Sequence, residues 1–231
     1  MRRALVLVVA AALVGVAAGA SATPRATIFG RSVQGRPLMV LSRGEASSRR
    51  TVLVVGCIHG NEAAGVAIVR ALERARGIRF DLRLVPTLNP DGEAADTRGN
   101  AHGVDLNRNF PYRWRPLGGV YDSGPRPLSE PETRAAVRLI SRLRPAITIW
   151  FHQHMRLVDE SGGDVAVERR FAGLVRLPLR RLPRYPGSAT QWQNASLRGS
   201  TAFVTELPAG SLTRRQVARY AAAVIALGNH P

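Results

Sequence analysis

The chain contains no lysine and only one cysteine, Cys57. A single cysteine cannot form an intramolecular disulfide, so the fold needs a core that is large enough without one. All basic side chains are arginines, and 33 basic residues against 16 acidic ones give a net charge of +17. No arginine-rich run is interleaved with aromatic residues, which argues against nucleic-acid binding. The charge favours loose association with anionic surfaces such as cell-wall polymers or lipid head groups.

The N-terminal segment predicts export. Arg2 and Arg3 precede an apolar run over residues 4–16, and Ala20-Ser21-Ala22 fits the pattern of a signal-peptidase site. We therefore expect a signal peptide over residues 1–22 and a single domain over residues 23–231, in a protein that is secreted, periplasmic or associated with the cell wall. An uncleaved membrane anchor is the alternative, although the apolar run is short for a membrane span.

Apolar runs alternate with helical periodicity along most of the chain. This alternation predicts a three-layer α/β/α domain around a mixed, mostly parallel sheet. Residues 87–129 instead contain many glycines, prolines, asparagines and aspartates, and a loop of this length is usually functional. The predicted strands cover residues 26–33, 38–42, 51–55, 80–86, 146–151 and 201–205, and the predicted helices cover residues 61–76, 129–143 (capped by Ser129), 164–176 and 214–227.

Three predicted strands are followed by side chains that can bind a metal or move a proton. His59 and Glu62 follow the strand over residues 51–55, His152 follows residues 146–151, and Glu206 follows residues 201–205. Since ligands bind beyond the carboxyl ends of strands in α/β sheets, these side chains are expected to face one crevice. Two histidines and a glutamate suit a catalytic zinc ion, and a second glutamate suits its general base. Taken alone, His59-x-x-Glu62 also fits an ordinary helix start with a glutamate favoured by the helix dipole.

Five stretches together resemble the zinc metallocarboxypeptidases of the carboxypeptidase A type, and most closely the short bacterial branch that includes murein peptide amidases. The resemblance implies a carboxypeptidase-like (phosphorylase/hydrolase-like) fold and one zinc ion per chain. The stretches are His59-x-x-Glu62, Asn89-Pro90-Asp91-Gly92, Gly-Val-Asp-Leu-Asn-Arg-Asn-Phe-Pro over residues 103–111, His152 after a strand, and Thr205-Glu206-Leu207.

The resemblance implies a role for each matching residue. His59, Glu62 and His152 would be the zinc ligands, with His154 as a rival to His152, and Glu206 would activate the attacking water. Arg98 would stabilise the oxyanion, although a solvated loop charge is its alternative. Asn107 and Arg108 would bind the free carboxylate of the substrate. Asp105 would accept a hydrogen bond from His59.

The sequence departs from the family pattern near the substrate-capping tyrosine. Tyr185 lies in the right region, but its proline-rich flanks do not align with the family. Residues 187–192 are expected to line the specificity pocket, and Gln153 is expected to face the substrate.

These observations predict an exported zinc-dependent hydrolase that cleaves an amide bond next to a free carboxylate in peptidoglycan stem peptides. An N-acyl amino acid deacylase of the succinylglutamate desuccinylase or aspartoacylase type is one alternative. A cell-wall peptide-binding module without catalysis is the other. The sequence leaves the oligomeric state open.

Overall fold

A seven-stranded mixed sheet forms the middle layer of the protein. The computed structural model describes residues 25–230, so the predicted signal peptide lies outside the described residues. The strands are β1 (Arg25–Arg31), β2 (Pro37–Gly44), β3 (Thr51–Val55), β4 (Asp81–Val85), β5 (Ile147–Asp159), β6 (Leu179–Arg180) and β7 (Thr201–Pro208). Their order is β1-β2-β4-β3-β5-β6, with β7 paired to β5. The β1–β2 and β2–β4 pairs are antiparallel and the other four pairs are parallel over most of their length, which confirms the predicted mostly parallel sheet.

Helices cover both faces of this sheet. Val52 and Val54 of β3 are buried in one hydrophobic cluster, and Leu53 and Val55 are buried in another. The helices are α1 (Ala64–Glu73), α2 (Pro90–Ala95), α3 (Pro131–Leu143), α4 (Val165–Val175), α5 (Ala189–Ser196) and α6 (Arg214–Asn229). The first cluster contains residues of α1, α4 and α6, and the second contains residues of α3 and α5. Because successive strand side chains point to opposite faces, the two clusters are the two interfaces of a three-layer fold.

Strand β5 extends well beyond its predicted end at residue 151 and continues to Asp159. Glu206 of β7 pairs with both His152 and Leu157 of β5. The first half of β5 therefore pairs with one edge of β7, and its second half pairs with the other edge. Three of the four residues over 153–156 are polar and residues 154–156 are exposed, so the apolar run is broken and hydrophobic periodicity missed the second half of the strand.

Helix boundaries also differ from the sequence prediction. Helix α1 begins at Ala64, three residues later than predicted, so His59 and Glu62 lie in the turn before it. Ser129 does not cap α3, because its hydroxyl donates to the carboxylate of Glu130, which occupies the N-cap position. The long region over residues 87–129 contains the short helix α2 and two 3₁₀ helices, Leu106–Arg108 and Gly119–Tyr121. No helix within residues 25–230 is long and apolar enough to cross a membrane.

Two loops that carry family motifs touch each other through glycine backbones. Asn89 caps α2 by accepting a hydrogen bond from Gly92 N at 2.9 Å. A Cβ atom on Gly60 would lie 1.9 Å from the carbonyl carbon of Gly92. Only glycine fits at residue 60, because any side chain would push the turn with His59 away from α2.

We therefore expect Gly60→Ala to lower the free energy of unfolding by about 1–3 kcal/mol, the usual cost of overpacking a close contact. Urea denaturation would measure the loss. Gly173→Ala is the matched control, because Gly173 lies inside α4 and a Cβ there meets nothing within 4 Å. This control should gain about 0.5–1 kcal/mol from helix propensity. Equal stability of Gly60→Ala and the unmodified protein would contradict the close approach.

Candidate active site

A cleft of about 420 Å³ lies beside the carboxyl end of β3 and the adjoining parts of β5 and β7. His59 and Glu62 reach it from the turn between β3 and α1, His152 from β5, and Glu206 from β7. Asp105 is fully buried and contacts the ring of His59. The structure thus brings together residues from distant parts of the chain. The other predicted residues that line the cleft are Arg98, Asn107, Arg108, Gln153 and Tyr185.

His59, Glu62 and His152 could share one metal ion. One ligand atom from each residue can be chosen so that all lie within 4.8 Å of one another. Oε2 of Glu62 is 3.1 Å from Nδ1 of His59 and 3.0 Å from Nδ1 of His152. Within residues 25–230 this is the one such group of three or more histidine, cysteine, aspartate or glutamate residues. Two imidazoles and a carboxylate match the donor set of a catalytic zinc site.

The hydrogen bonds of His59 fit a metal ligand. Nε2 of His59 lies 3.0 Å from Oδ1 of Asp105, which favours the tautomer that carries its proton on Nε2. Nδ1 of His59 is buried and has no hydrogen-bond partner within the described residues, although the carboxylate of Glu62 is nearby. Its lone pair is therefore oriented toward the point where Glu62 and His152 also meet, and a cation there would satisfy all three groups.

The electrostatics of this point also favour a cation. Burial acts to lower the pKa of His59, but Asp105 and Glu62 outweigh it and raise the pKa. Burial acts to raise the pKa of Glu62, but the neighbouring imidazoles of His152 and His59 hold that pKa far below its usual range. The carboxylates therefore stay ionised, and their negative charge favours a cation at the point where the three side chains meet.

His154 lies outside the triad. It is exposed and lines the same cleft, but it does not belong to the group of side chains that can share an ion. Cys57 is also an unsuitable ligand or nucleophile, because burial raises the pKa of its thiol to about 12. His152 is thus the histidine of β5 that the geometry favours.

Arg98 connects the triad to Asp105. Its Nη1 donates to Oε1 of Glu62 at 3.0 Å, while its Nε and Nη2 lie 3.0 and 2.9 Å from Oδ2 of Asp105. These bonds hold the guanidinium at the edge of the triad, so Arg98 is not a freely solvated loop charge. Burial acts to raise the pKa of Asp105, but His59, Arg108 and Arg98 together keep it far below its usual range.

Glu206 lies beside the triad. It pairs in register with His152 across β5 and β7, and residues paired in this way project from the same face of the sheet. Its side chain lines the cleft while the residue is only 8% exposed, and Oε2 accepts a hydrogen bond from Met155 N at 3.4 Å. A carboxylate at this place can take a proton from a water molecule next to the triad.

Asn107 and Arg108 form a cationic site at another wall of the cleft. Arg108 is buried, and its Nε has no hydrogen-bond partner among the described residues, so a donor is available for an anion. Its guanidinium carbon lies 4.4 Å from the ring centroid of Tyr185 and 5.2 Å from that of Tyr121. Oδ1 of Asn107 accepts from Ala189 N at 2.9 Å, which ties this site to α5.

Hydrogen bonds hold the backbone of Tyr185 and the side chain of Gln153. The side chain of Gln191 donates to the backbone carbonyl of Tyr185 at 2.8 Å, which fixes the chain at the edge of the cleft. The amide of Gln153 accepts from Ala64 N and donates to the carbonyls of Pro208 and Gly210. Gln153 therefore braces the start of α1 against the loop after β7, and its contact with substrate stays a prediction.

Three residues with polar side chains line the cleft but were not found from the sequence. Tyr121 stacks on Tyr185 with ring centroids 5.6 Å apart, and Asp159 pairs with Arg184. Tyr121 lies in a region without periodicity, and Asp159 lies beyond the predicted end of its strand. Arg184 is one of 33 basic residues, so nothing in the sequence distinguished it.

Comparisons with known proteins agree with this geometry. A family model described as zinc carboxypeptidase matches residues 10–159. Murein peptide amidase A of Escherichia coli K12 is 34% identical over 183 residues, which cover 71% of this chain and 74% of that protein. The crystal structure of the murein-tripeptide amidase of Escherichia coli O157 superimposes with a TM-score of 0.72 at 32% identity, covering 92% of this chain and 95% of that one. Carboxypeptidase A of Helicoverpa armigera shares the fold, with a TM-score of 0.74 at 18% identity over 90% of this chain and 68% of that one.

The triad predicts different outcomes for the two histidines of β5. His152→Ala should abolish stoichiometric zinc binding, because it removes one of three ligands. His154→Ala is the matched control and should keep one zinc ion per chain. Metal analysis after dialysis of both purified variants would measure this. Loss of zinc from His154→Ala with retention in His152→Ala would reverse the assignment.

The contact between His59 and Asp105 predicts an effect on metal affinity. Asp105→Asn should weaken zinc binding by about 10–100-fold, because the neutral amide holds the His59 ring less well and carries no charge. Competition with a chelator would measure the affinity. Asp96→Asn is the control, since Asp96 is exposed and has a left-handed backbone that asparagine tolerates. Equal affinities of the two variants would contradict a role for Asp105.

Proposed function

The chain belongs to the zinc carboxypeptidase family and is a hydrolase, and we propose that it is an exported, zinc-dependent amidase acting on peptidoglycan stem peptides. The bond cleaved would be an amide next to a free carboxylate. The observation that carries this proposal is the convergence of Glu206, the His59–Glu62–His152 triad and the Arg108 site in one cleft. A zinc ion, a general base and a carboxylate anchor in one cavity are the parts that such a reaction requires.

The substrate class is supported by the relatives. The two Escherichia coli proteins named above are murein peptide amidases, and the structural match covers 95% of the one whose crystal structure was compared. The polar residues Ser188, Thr190 and Gln191 line the cleft, which suits a polar side chain better than a large apolar one. Export is supported by the N-terminal sequence pattern, and the net charge of +17 favours proximity to anionic cell-wall polymers.

The proposed reaction begins with the substrate carboxylate on Arg108. This ion pair, supported by Asn107, places the amide bond beside Glu206 and the triad. A zinc ion held by His59, Glu62 and His152 would polarise the amide carbonyl and lower the pKa of the attacking water. Glu206 accepts the proton of that water and returns it to the departing amine.

Arg98, at the edge of the triad, would stabilise the transition state. Two of its nitrogens are held by Asp105 and a third by Glu62, so its orientation is set before substrate binds. The guanidinium carries further N–H groups that can donate to the developing oxyanion. Such a donor lowers the barrier because it needs no reorganisation during the reaction.

Glu206→Gln is the variant that tests catalysis. Because glutamine cannot accept the proton, kcat on purified stem peptides should fall by about 10²–10⁴-fold, while zinc content stays at one ion per chain. Chromatography of the released fragments and metal analysis would measure both quantities. Glu45→Gln is the matched control, since Glu45 is exposed and lies outside the cleft. Undiminished turnover by Glu206→Gln would contradict the mechanism, and zinc binding without turnover by the unmodified protein would indicate a binding module.

A further inference from the structure

Tyr121 lines the cleft, and the proposed reaction gives it no role. Its ring centroid lies 5.4 Å from the guanidinium carbon of Arg98 and 5.2 Å from that of Arg108. Of the aromatic rings within residues 25–230, only this one faces both guanidinium groups. The arginine predicted to stabilise the oxyanion and the arginine predicted to bind the substrate carboxylate therefore share one aromatic neighbour.

The two guanidinium groups carry like charges and line the same cavity. Burial is the main cause that lowers the pKa of Arg108, and the positive charge of Arg98 lowers it further against the opposing charge of Asp105. The face of an aromatic ring carries the negative part of its quadrupole, so a ring that both cations contact stabilises them together. Tyr121 supplies that face.

Arg108 depends on aromatic contacts more than Arg98 does. Carboxylates hold three nitrogens of Arg98. Within the described residues, Nη1 of Arg108 donates to the carbonyl of Asn107 at 2.7 Å, while its Nε has no hydrogen-bond partner. The direction in which Arg108 presents that donor is therefore set largely by ring contacts, and Tyr121 makes one of them.

The loop that carries Tyr121 is pinned at its base. Ser123 is fully buried, its backbone N–H donates to the carbonyl of Leu117 at 3.2 Å, and its hydroxyl accepts from Leu117 N at 2.9 Å. The carbonyl of Asp122, which follows Tyr121, accepts from Asp105 N at 2.7 Å. The backbone that carries the ring is therefore fastened directly to the buried Asp105.

The contacts of Tyr121 are made by its ring and not by its hydroxyl. Two guanidinium groups lie over the ring, and Tyr185 stacks beside it with an angle of 25° between the ring planes. No hydrogen bond of the phenol hydroxyl occurs within residues 25–230, and Tyr121 is 40% exposed. A phenylalanine would therefore keep these contacts, whereas an aliphatic residue would remove the negative ring face.

We propose that Tyr121 is a positioning residue whose ring holds the guanidinium groups of Arg98 and Arg108 at the separation that one substrate needs. This inference rests on the proposed function. The carboxylate and the developing oxyanion belong to the same substrate, so both arginines must be engaged from one bound position. Because a misplacement of about 1 Å can cost roughly 100-fold in rate, a ring that fixes this separation acts on both binding and turnover.

Replacement of the ring tests the proposal with the zinc-loaded protein and a purified stem tripeptide. Tyr121→Leu should raise KM, lower kcat and reduce kcat/KM by roughly 10–100-fold, since each of two cation–π contacts is worth a factor of about 3–30. Tyr121→Phe should stay within about threefold of the unmodified protein, because it keeps the ring. The inhibition constant of the released fragment that carries the free carboxylate should rise with KM in Tyr121→Leu, which measures the anchor without catalysis.

A double-mutant cycle shows whether the ring acts through Arg108. In an Arg108→Gln background, Tyr121→Leu should raise KM by less than about threefold, because the group that the ring positions is already absent. Its effect on kcat through Arg98 should remain. An equally large rise of KM in both backgrounds would overturn the inference, since the ring would then act independently of the anchor.

Val120→Ala is the matched control, because Val120 precedes Tyr121, is 71% exposed and does not line the cleft. It should leave kcat, KM and the inhibition constant unchanged. Unchanged kinetics of Tyr121→Leu, or an equal loss in Tyr121→Phe, would overturn the inference while the proposed amidase function stands. Absence of turnover by the unmodified protein would overturn the proposed function and, with it, the inference.

Discussion

The buried carboxylate of Asp105 connects the groups on which the site depends. It contacts the ring of His59, the guanidinium of Arg98 and the backbone N–H of Asn107, and it lies near Arg108. Burying a single charge is expensive, so this carboxylate stays ionised only because several donors surround it. Removing one partner from a buried ion pair typically costs about 3–5 kcal/mol, so these positions are coupled. The orientations of His59, Arg98 and Arg108, which are the predicted metal ligand, oxyanion donor and carboxylate anchor, therefore depend on one side chain.

The sheet and the elements packed on it fix the positions of the site residues. His152 and Glu206 come from neighbouring strands in register, so their spacing depends on backbone hydrogen bonds between β5 and β7 and not on a flexible loop. The turn with His59 is held against α2 by the close approach of Gly60 and Gly92. The amide of Gln153 fixes the start of α1, immediately after Glu62, to the loop behind β7. Rigid elements thus hold each ligand, although the residues themselves come from loops and strand ends.

Sequence reasoning found the residues that follow apolar strands and those that match family motifs. His59, Glu62 and Glu206 stood out because each was predicted to lie beyond the carboxyl end of a buried strand, where α/β folds bind their ligands. Arg98 could not be distinguished from the other arginines by composition, and its assignment depended on the resemblance. Tyr121, Asp159 and Arg184 lie in segments without periodicity or a motif, and only their side-chain contacts show that they share the cleft.

The sequence by itself determined the class of fold, the family and the residue types of the metal site. These properties follow from local patterns. The periodicity of a strand or helix and the residues of a motif can each be recognised within a short stretch of sequence. The tertiary structure decided which of the two histidines of β5 joins Glu62, where β5 ends, and which charged residues meet in the cleft. These properties depend on contacts between residues far apart in the chain, such as the pairs His152 with Glu206 and Asp159 with Arg184. Strand register and side-chain packing settle such contacts, and neither is encoded in any single stretch of the chain.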